Sequence, residues 1–211
     1  MRVAIVHDWL YVAGGAERVL KELLRCYPGA DVFTLFDVLT DEDRAWIGFE
    51  KSTTSFLQRI PGIAKIHRAL LPILPFAIEQ FDLSGYDLVI SSSYAVAKGV
   101  ITGPDQLHIA YIHSPMRYAW DLQHQYLRDA PGPFGLKAAF ARIMLHRIRT
   151  WDTSSGIRPD VIVANSAYVG RRVRKAFGRT VSVIHPPVDV TPYAAGTPRE
   201  DYFLAAGRLV S

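Results

Sequence analysis

Residues 3–17 read VAIVHDWLYVAGGAE, and this order predicts a strand, a loop and the first turn of a helix. The apolar run ends in the polar residues His7 and Asp8, and a loop then leads to the pair Gly14 and Gly15. Glycine lets the backbone approach a ligand closely, and the free N–H groups of a first helical turn attract phosphate. The G-x-G-x-x-G pattern of dinucleotide-binding folds is absent. The stretch therefore predicts the βα start of a nucleotide-binding unit, and a plain tight strand-to-helix turn is the alternative.

Further apolar runs with the character of strands recur along the chain, and helical patterns lie between them. Most runs are apolar throughout rather than alternating, which is typical of strands buried on both faces of a parallel sheet. We therefore predict an α/β fold, a Rossmann-like parallel sheet with helices on both faces. The strand candidates are Val3–Val6, Asp31–Phe36, Leu88–Ser91, His108–Ile112, Val161–Ala164 and Val181–Ile184, and the helical patterns are Ala16–Leu24, Phe134–Trp151 and Tyr168–Phe177.

The chain changes character after residue 185. Prolines recur there at positions 186, 187 and 192, which favours a stiff, extended segment. A fresh apolar run then begins at Tyr202. We predict a Rossmann-like domain over residues 1–185, an interdomain linker over 186–200, and the first strand of a second domain over 201–211.

Composition is ordinary for a globular α/β protein with a sizeable core: 211 residues, 49% hydrophobic and 21% charged. The single cysteine, Cys26, excludes an internal disulfide and a cysteine-based zinc site, and it fits a reducing compartment. Its place at the end of the first helical pattern predicts that it packs in the core. A signal-peptide pattern and an apolar run of membrane-spanning length are both missing, so we expect a cytoplasmic protein.

Polar residues follow three of the predicted strands, at the edge of a parallel sheet where ligands bind. His113 directly follows the run 108–112 and precedes Pro115 by two residues, so the chain leaves the strand sharply. A histidine held only by loop hydrogen bonds is the alternative. At the end of the first strand, Asp8 and Trp9 are placed to contact a sugar hydroxyl and a sugar face, or to cap and pack.

Asn165 and Ser166 follow the run 161–164 and precede a helical pattern. The better interpretation is that one of them caps that helix, since short polar side chains are preferred at this position. A contact with a ligand at the sheet edge is the other interpretation.

Basic residues are clustered although the net charge is only +4. The stretches 59–78 and 134–151 combine basic with apolar residues, which fits a surface that rests on anionic lipid, and residues 171–179 add a further basic cluster. Ordinary solvated helix faces are the alternative. No nucleic-acid partner is expected, because no recognisable binding module accompanies the charge.

Taken together, these motifs resemble the N-terminal half of family 4 glycosyltransferases, which are retaining enzymes of the GT-B fold. The likeness extends over essentially the whole chain, and bacterial polysaccharide mannosyltransferases are the relatives that the first motif most resembles. The motifs occur in the family's order: Gly14-Gly15-Ala16-Glu17, His113-Ser114-Pro115, Val163-Ala164-Asn165-Ser166, Pro186-Pro187-Val188-Asp189 and Gly207-Arg208-Leu209.

The resemblance implies roles for individual residues. Gly14 and Gly15 would contact the donor pyrophosphate and sugar, Arg208 would contact the donor phosphates, and His113 would be the candidate catalytic residue beside the transferred sugar. No metal or other cofactor is implied. The family's remaining donor-site residues would fall past Ser211, so this chain by itself is expected to be inactive. The candidates for contacting acceptor or sugar are Asp8, Trp9, Glu17, Asn165 and Ser166.

The implied activity is sugar transfer with retention, from a GDP- or UDP-sugar to a glycan or lipid-linked acceptor in cell-surface polysaccharide biosynthesis. Mannose is the sugar that the named relatives transfer. Two alternatives remain open from the residues: a nucleotide-sugar epimerase of the same fold, and a non-catalytic module that binds the acceptor.

Overall fold

The computed structural model describes residues 1–129 and 135–190, together with the isolated positions 201 and 203. The later part of the predicted linker lies outside these ranges. So does the predicted strand over 201–211, apart from the two positions named, and with it Arg208.

A single parallel sheet forms the centre of the described chain, with strands β1 Val3–His7, β2 Asp31–Thr34, β3 Ser52–Thr54, β4 Leu88–Ser93, β5 Leu107–Ile112, β6 Val161–Ala164 and β7 Ser182–Val183. Their spatial order is β3-β2-β1-β4-β5-β6-β7, and every neighbouring pair is parallel. The chain thus builds one half of the sheet outward from β1, crosses back to β4, and builds the other half. In such sheets a crevice opens at the carboxyl ends of the strands where the direction of winding reverses. Here that point lies between β1 and β4.

Helices cover both faces of the sheet, with the described helices being α1 Gly15–Cys26, α2 Asp41–Ile47, α3 Ile63–Ile66, α4 Leu74–Ile78, α5 Gln123–Asp129, α6 Leu136–Ser155 and α7 Ala167–Phe177. Alternate residues of β1 enter different cores, because side chains alternate along a strand. Ile5 packs with residues of α1 and α2, whereas Ala4 and Val6 pack with residues of α4 and α6. The prediction of a Rossmann-like sheet buried on both faces is confirmed.

Some elements were not predicted because their local signal is weak. The edge strand β3 is short and polar, and the apolar segment that contains α3 and α4 is broken by Pro72 and Pro75. The prediction that Cys26 packs in the core is wrong, because the residue is exposed. It follows the buried Leu24 by two positions, which is about 200° around the helix, so it turns away from the sheet.

Within the described ranges, no helix is both long enough and apolar enough to cross a membrane.

Candidate functional site

A cleft of about 810 Å³ opens at the carboxyl ends of β1, β4 and β5. Its floor is formed by residues that follow these strands, among them Trp9, Tyr94 and His113. The first turn of α1 forms one wall, and side chains from α5, α6 and α7 form another. The cleft therefore lies where the winding of the sheet reverses.

The cleft brings together five of the residues that the sequence singled out, namely Trp9, Gly14, Gly15, Glu17 and His113. Asp8, Asn165 and Ser166 do not line it. Arg208 belongs to the part of the chain that the structure does not describe.

His113 is connected to the first turn of α1 through buried side chains. Its Nε2 atom lies 2.9 Å from the hydroxyl oxygen of Ser92, which in turn lies 3.1 Å from Nδ1 of His7. On the other side of the His7 ring, Nε2 lies 3.4 Å from Oε1 of Glu17. Ser92 and His7 are register partners across β4 and β1, so their side chains meet on the face that α1 covers.

Glu17 also takes part in capping the N-terminus of α1. The backbone N–H of Gly14 donates to its Oε2 atom over 2.9 Å, so this N–H is already occupied. A Cβ at position 14 would lie 3.0 Å from the same oxygen, which explains why glycine suits this position. Burial raises the pKa of Glu17, but the hydrogen bond and attraction of His7 and the backbone N–H groups outweigh it and lower the pKa below its ordinary value. Glu17 is therefore an ionised acceptor.

Asp8 is fully buried and holds the loop that follows β4. Its two carboxylate oxygens accept the N–H groups of Tyr94 and Ala95 over 2.6 and 2.9 Å, and of Val96 and Ala97 over 2.6 and 2.7 Å. Asp8 therefore has the capping role, which the sequence analysis gave as the alternative to contact with a sugar.

Trp9 packs among aromatic rings at the base of the cleft. Its ring stacks on Phe36 at 6.3 Å and meets the rings of His67 and Tyr94 at 4.9 and 5.1 Å. Only 7% of the residue is exposed, so the part of the indole that lines the cleft is small.

Asn165 and Ser166 organise the neighbouring turn. Ser166 caps α7, since its hydroxyl accepts the N–H of Val169 over 3.2 Å. The prediction of a helix cap here is thereby confirmed. The amide of Asn165 donates to the carbonyl oxygen of His113 over 3.1 Å and so fixes the turn that carries the histidine.

Several residues of the site were missed by reasoning from the sequence. Ser92 lies within three consecutive serines that end β4, a polar run at a strand end that was a usable signal. Arg172 of α7 donates to the hydroxyl of Ser114 over 2.7 Å and pairs with Asp121. Burial raises the pKa of the Tyr118 hydroxyl, which has no protein partner within the described ranges.

The charge of the cleft is positive. Of the described residues that line it, Glu17 is the sole carboxylate, and the three arginines are Arg68, Arg117 and Arg172. Five tyrosines add hydroxyl groups and ring faces: Tyr11, Tyr94, Tyr118, Tyr126 and Tyr168. Over the described ranges no group of three or more His, Cys, Asp or Glu residues is placed to hold a metal ion. The lining thus suits a polar, anionic, hydroxyl-rich ligand.

Two buried histidines make stability depend on pH. Desolvation lowers the pKa of His113 to about 3 and that of His108 to about 4. In the unfolded chain the pKa of each histidine is about 6.5. Below about pH 6.5 the unfolded chain therefore binds more protons than the folded one. We expect the free energy of unfolding to fall on acidification, by up to about 1.4 kcal/mol per pH unit for each histidine.

Urea unfolding at about pH 7 and about pH 5 measures this effect, with His108→Gln and His113→Ala as comparisons that each remove one titrating group. An unchanged difference between the two pH values in both variants would assign the acid sensitivity to other groups.

The chain is similar to a known protein family and to solved structures. The profile of the family described as Glycosyltransferase Family 4 matches residues 13–191. A crystal structure of Anabaena HepE in complex with UDP is similar at a TM-score of 0.54 and 17% identity, over 92% of this chain and 46% of that one. The same protein in complex with UDP-glucose is similar at a TM-score of 0.50 and 16% identity, over the same shares. At such identity the likeness concerns the fold.

The chain spans about half the length of these structures, namely 46%. No curated protein matches the chain by sequence.

Proposed function

The chain belongs to glycosyltransferase family 4, and from this premise we propose that residues 1–185 are the acceptor-side domain of a retaining glycosyltransferase of the GT-B fold. In this proposal residues 186–200 are the linker and 201–211 begin the donor-binding domain. The enzyme moves a sugar from a nucleotide-sugar donor to a glycan or lipid-linked acceptor in the synthesis of cell-surface polysaccharide. The observation that carries the proposal is the positively charged cleft at the point where the winding of the sheet reverses. Gly15 and His113 both line this cleft.

The proposed donor is a nucleoside diphosphate sugar. The HepE structures contain UDP and UDP-glucose, which supports this class of donor and makes a UDP-sugar the first to test. GDP-mannose is the second, on the resemblance to mannosyltransferases.

The proposed chemistry needs positive groups near the phosphates and a hydrogen-bonding group near the sugar. As the diphosphate leaves, negative charge builds on its oxygens and positive, oxocarbenium-like charge builds on the sugar. The first turn of α1 lines the cleft and carries the positive end of the helix dipole. His113 contacts a hydroxyl of the transferred sugar and is not a nucleophile. Its pKa of about 3, set mainly by burial, keeps the ring neutral.

The proposed acceptor carries phosphate. Arg68 and Arg117 are exposed at the cleft, and no carboxylate in the described ranges pairs with either. Arg172 is held in place by Asp121 and Ser114. Guanidinium groups bind phosphate through paired N–H donors, so a lipid-linked phosphate or diphosphate fits this rim.

Two segments that contribute residues to the cleft also carry exposed apolar side chains. Phe56 and Phe76 lie with ring centroids 6.0 Å apart and are 40% and 56% exposed, and Ile66 and Ile73 are also exposed. On α6, Phe140 is 61% exposed. Both regions reach the cleft, because Leu71 and Leu145 line it. We propose that this surface rests on the cytoplasmic leaflet of the plasma membrane, where the acceptor lipid lies.

We expect the protein to sediment with anionic vesicles and not with neutral ones. Each Lys or Arg near an anionic surface contributes about 1 kcal/mol, and screening by salt weakens that attraction. Reversing Lys65 and Arg68 to glutamate should abolish sedimentation, whereas reversing Arg174 and Lys175, exposed on α7, should have little effect. Equal binding to both kinds of vesicle, or none at low salt, would mean that these clusters are solvated helix faces.

Assay of the complete protein with a panel of UDP- and GDP-sugars and a lipid-linked acceptor tests the proposed function. We expect one sugar to be transferred, and the anomeric configuration of the product to match that of the donor. Conversion of a donor without any acceptor would instead establish the epimerase. Binding of the acceptor with no turnover of any donor would leave the non-catalytic module.

A further inference from the structure

A chain of buried hydrogen bonds runs from the first turn of α1 to His113, through Glu17, His7 and Ser92. We propose that Glu17 is a positioning residue which, through His7 and Ser92, determines which ring nitrogen of His113 carries the hydrogen. The inference rests on the proposed contact between His113 and the transferred sugar.

Together with a neutral His7 ring, the carboxylate sets the direction of the bonds in this chain. An ionised carboxylate only accepts hydrogen bonds, so Nε2 of His7 donates to Glu17. The proposed order of bonds requires a neutral His7 ring, in which Nδ1 accepts and the hydroxyl of Ser92 donates to it over 3.1 Å; a protonated ring would reverse the bonds of Ser92 and give the opposite tautomer of His113. The oxygen of Ser92 is left to accept, and Nε2–H of His113 donates to it over 2.9 Å.

This order leaves Nδ1 of His113 as a bare acceptor. In the described part of the chain Nδ1 has no hydrogen-bond partner, and His113 lines the cleft. An acceptor nitrogen takes a hydrogen bond from a sugar hydroxyl and leaves its oxygen more negative, which stabilises positive charge growing on the ring. The opposite tautomer would present an N–H and have the opposite effect. The tautomer of His113 therefore matters for transfer.

A capping role alone does not account for the burial of Glu17. One carboxylate oxygen is enough to accept the N–H of Gly14, yet the second oxygen faces a histidine that is completely buried. The comparable acidic residue of α2, Asp43, accepts a hydrogen bond from the capping Thr40 and is only partly buried. Burying a carboxylate and an imidazole together costs solvation free energy, which a simple helix cap does not require.

Nitrogen-15 NMR of the complete protein with labelled histidines tests the inference without any need for activity. The signals of His113 are assigned by their loss in His113→Ala. We expect the Nε2–H tautomer in the wild type, and loss of that preference in Glu17→Gln and Ser92→Ala. An Nδ1–H tautomer in the wild type, or an unchanged His113 in both variants, would overturn the inference.

Matched controls separate this role from general damage. Ser91→Ala breaks another buried serine–histidine contact, the 2.9 Å bond to Nε2 of His108 on the opposite face of β4. Asp43→Asn removes an acidic residue from the first turn of a helix that does not line the cleft. Both controls should keep the wild-type tautomer of His113.

Kinetics supply the second measurement. Glu17→Gln and Ser92→Ala should each lower kcat about tenfold and change KM for the donor less than about twofold, since the loss arises at the transition state. Thermal unfolding confirms that each variant is folded at the assay temperature. Unchanged kcat in both variants, with His113→Ala strongly impaired, would overturn this inference while the proposed function stands. A fully active His113→Ala would instead count against the proposed function.

Discussion

Replacing His113 with alanine is expected to lower the kcat of the complete protein at least about tenfold, because one hydrogen bond to the reacting sugar in a water-excluded site contributes a few kcal/mol. The fold should be retained. The backbone bonds of residue 113, to the carbonyl of Ser93 and from the amide of Asn165, do not involve its side chain. The kcat at saturating donor, together with a circular dichroism spectrum, measures both expectations.

His124→Ala is the matched control for this prediction. His124 is exposed on α5 and does not line the cleft, so its loss should leave kcat unchanged. A folded His113→Ala variant with near-normal kcat would reduce His113 to a histidine satisfied by loop hydrogen bonds, the alternative that the sequence left open.

Replacing Asp8 with alanine is expected to lower the free energy of unfolding by about 4 kcal/mol. The carboxylate is fully buried and accepts four backbone N–H groups, all of which lose their partner in the variant. Urea unfolding at neutral pH measures the loss. Asp41→Ala is the control, since that side chain is fully exposed and its removal should cost less than about 0.5 kcal/mol.

Asp8→Asn refines the same prediction. The amide oxygen keeps one acceptor, but the amide N–H group then faces backbone donors, so we expect a loss intermediate between wild type and Asp8→Ala. A loss of less than about 1 kcal/mol in Asp8→Ala would mean that water replaces the carboxylate in this loop.

The two predictions concern the carboxyl ends of β5 and β1, which lie on either side of β4. His7 and Asp8 are neighbours whose side chains point to opposite faces of the sheet. His7 reaches Ser92 on the face covered by α1, and Asp8 reaches the loop of Tyr94 to Ala97. The end of β1 thus serves the proposed chemistry on one side and the stability of the cleft on the other.

The sequence by itself determined the features that depend on local pattern. Mainly apolar runs identified six of the seven strands in the described chain, because strands buried on both faces are rich in apolar residues. The glycine pair marked the start of α1, and the polar residue before the next helix marked the cap at Ser166. The position of His113 at a strand end also followed from local order.

The tertiary structure alone decided the partners of the polar groups. Asp8 bonds to residues 86 to 89 positions away, and His7 to a serine 85 positions away. The spacing of apolar residues predicts which side chains of a segment are buried. It carries no information on which distant strand pairs with that segment. The order of the sheet placed β4 beside β1, and that neighbourhood brought Ser92 between His7 and His113. The hydrogen-bonded site is therefore a product of strand order, because polar groups find their partners only after the strands have paired.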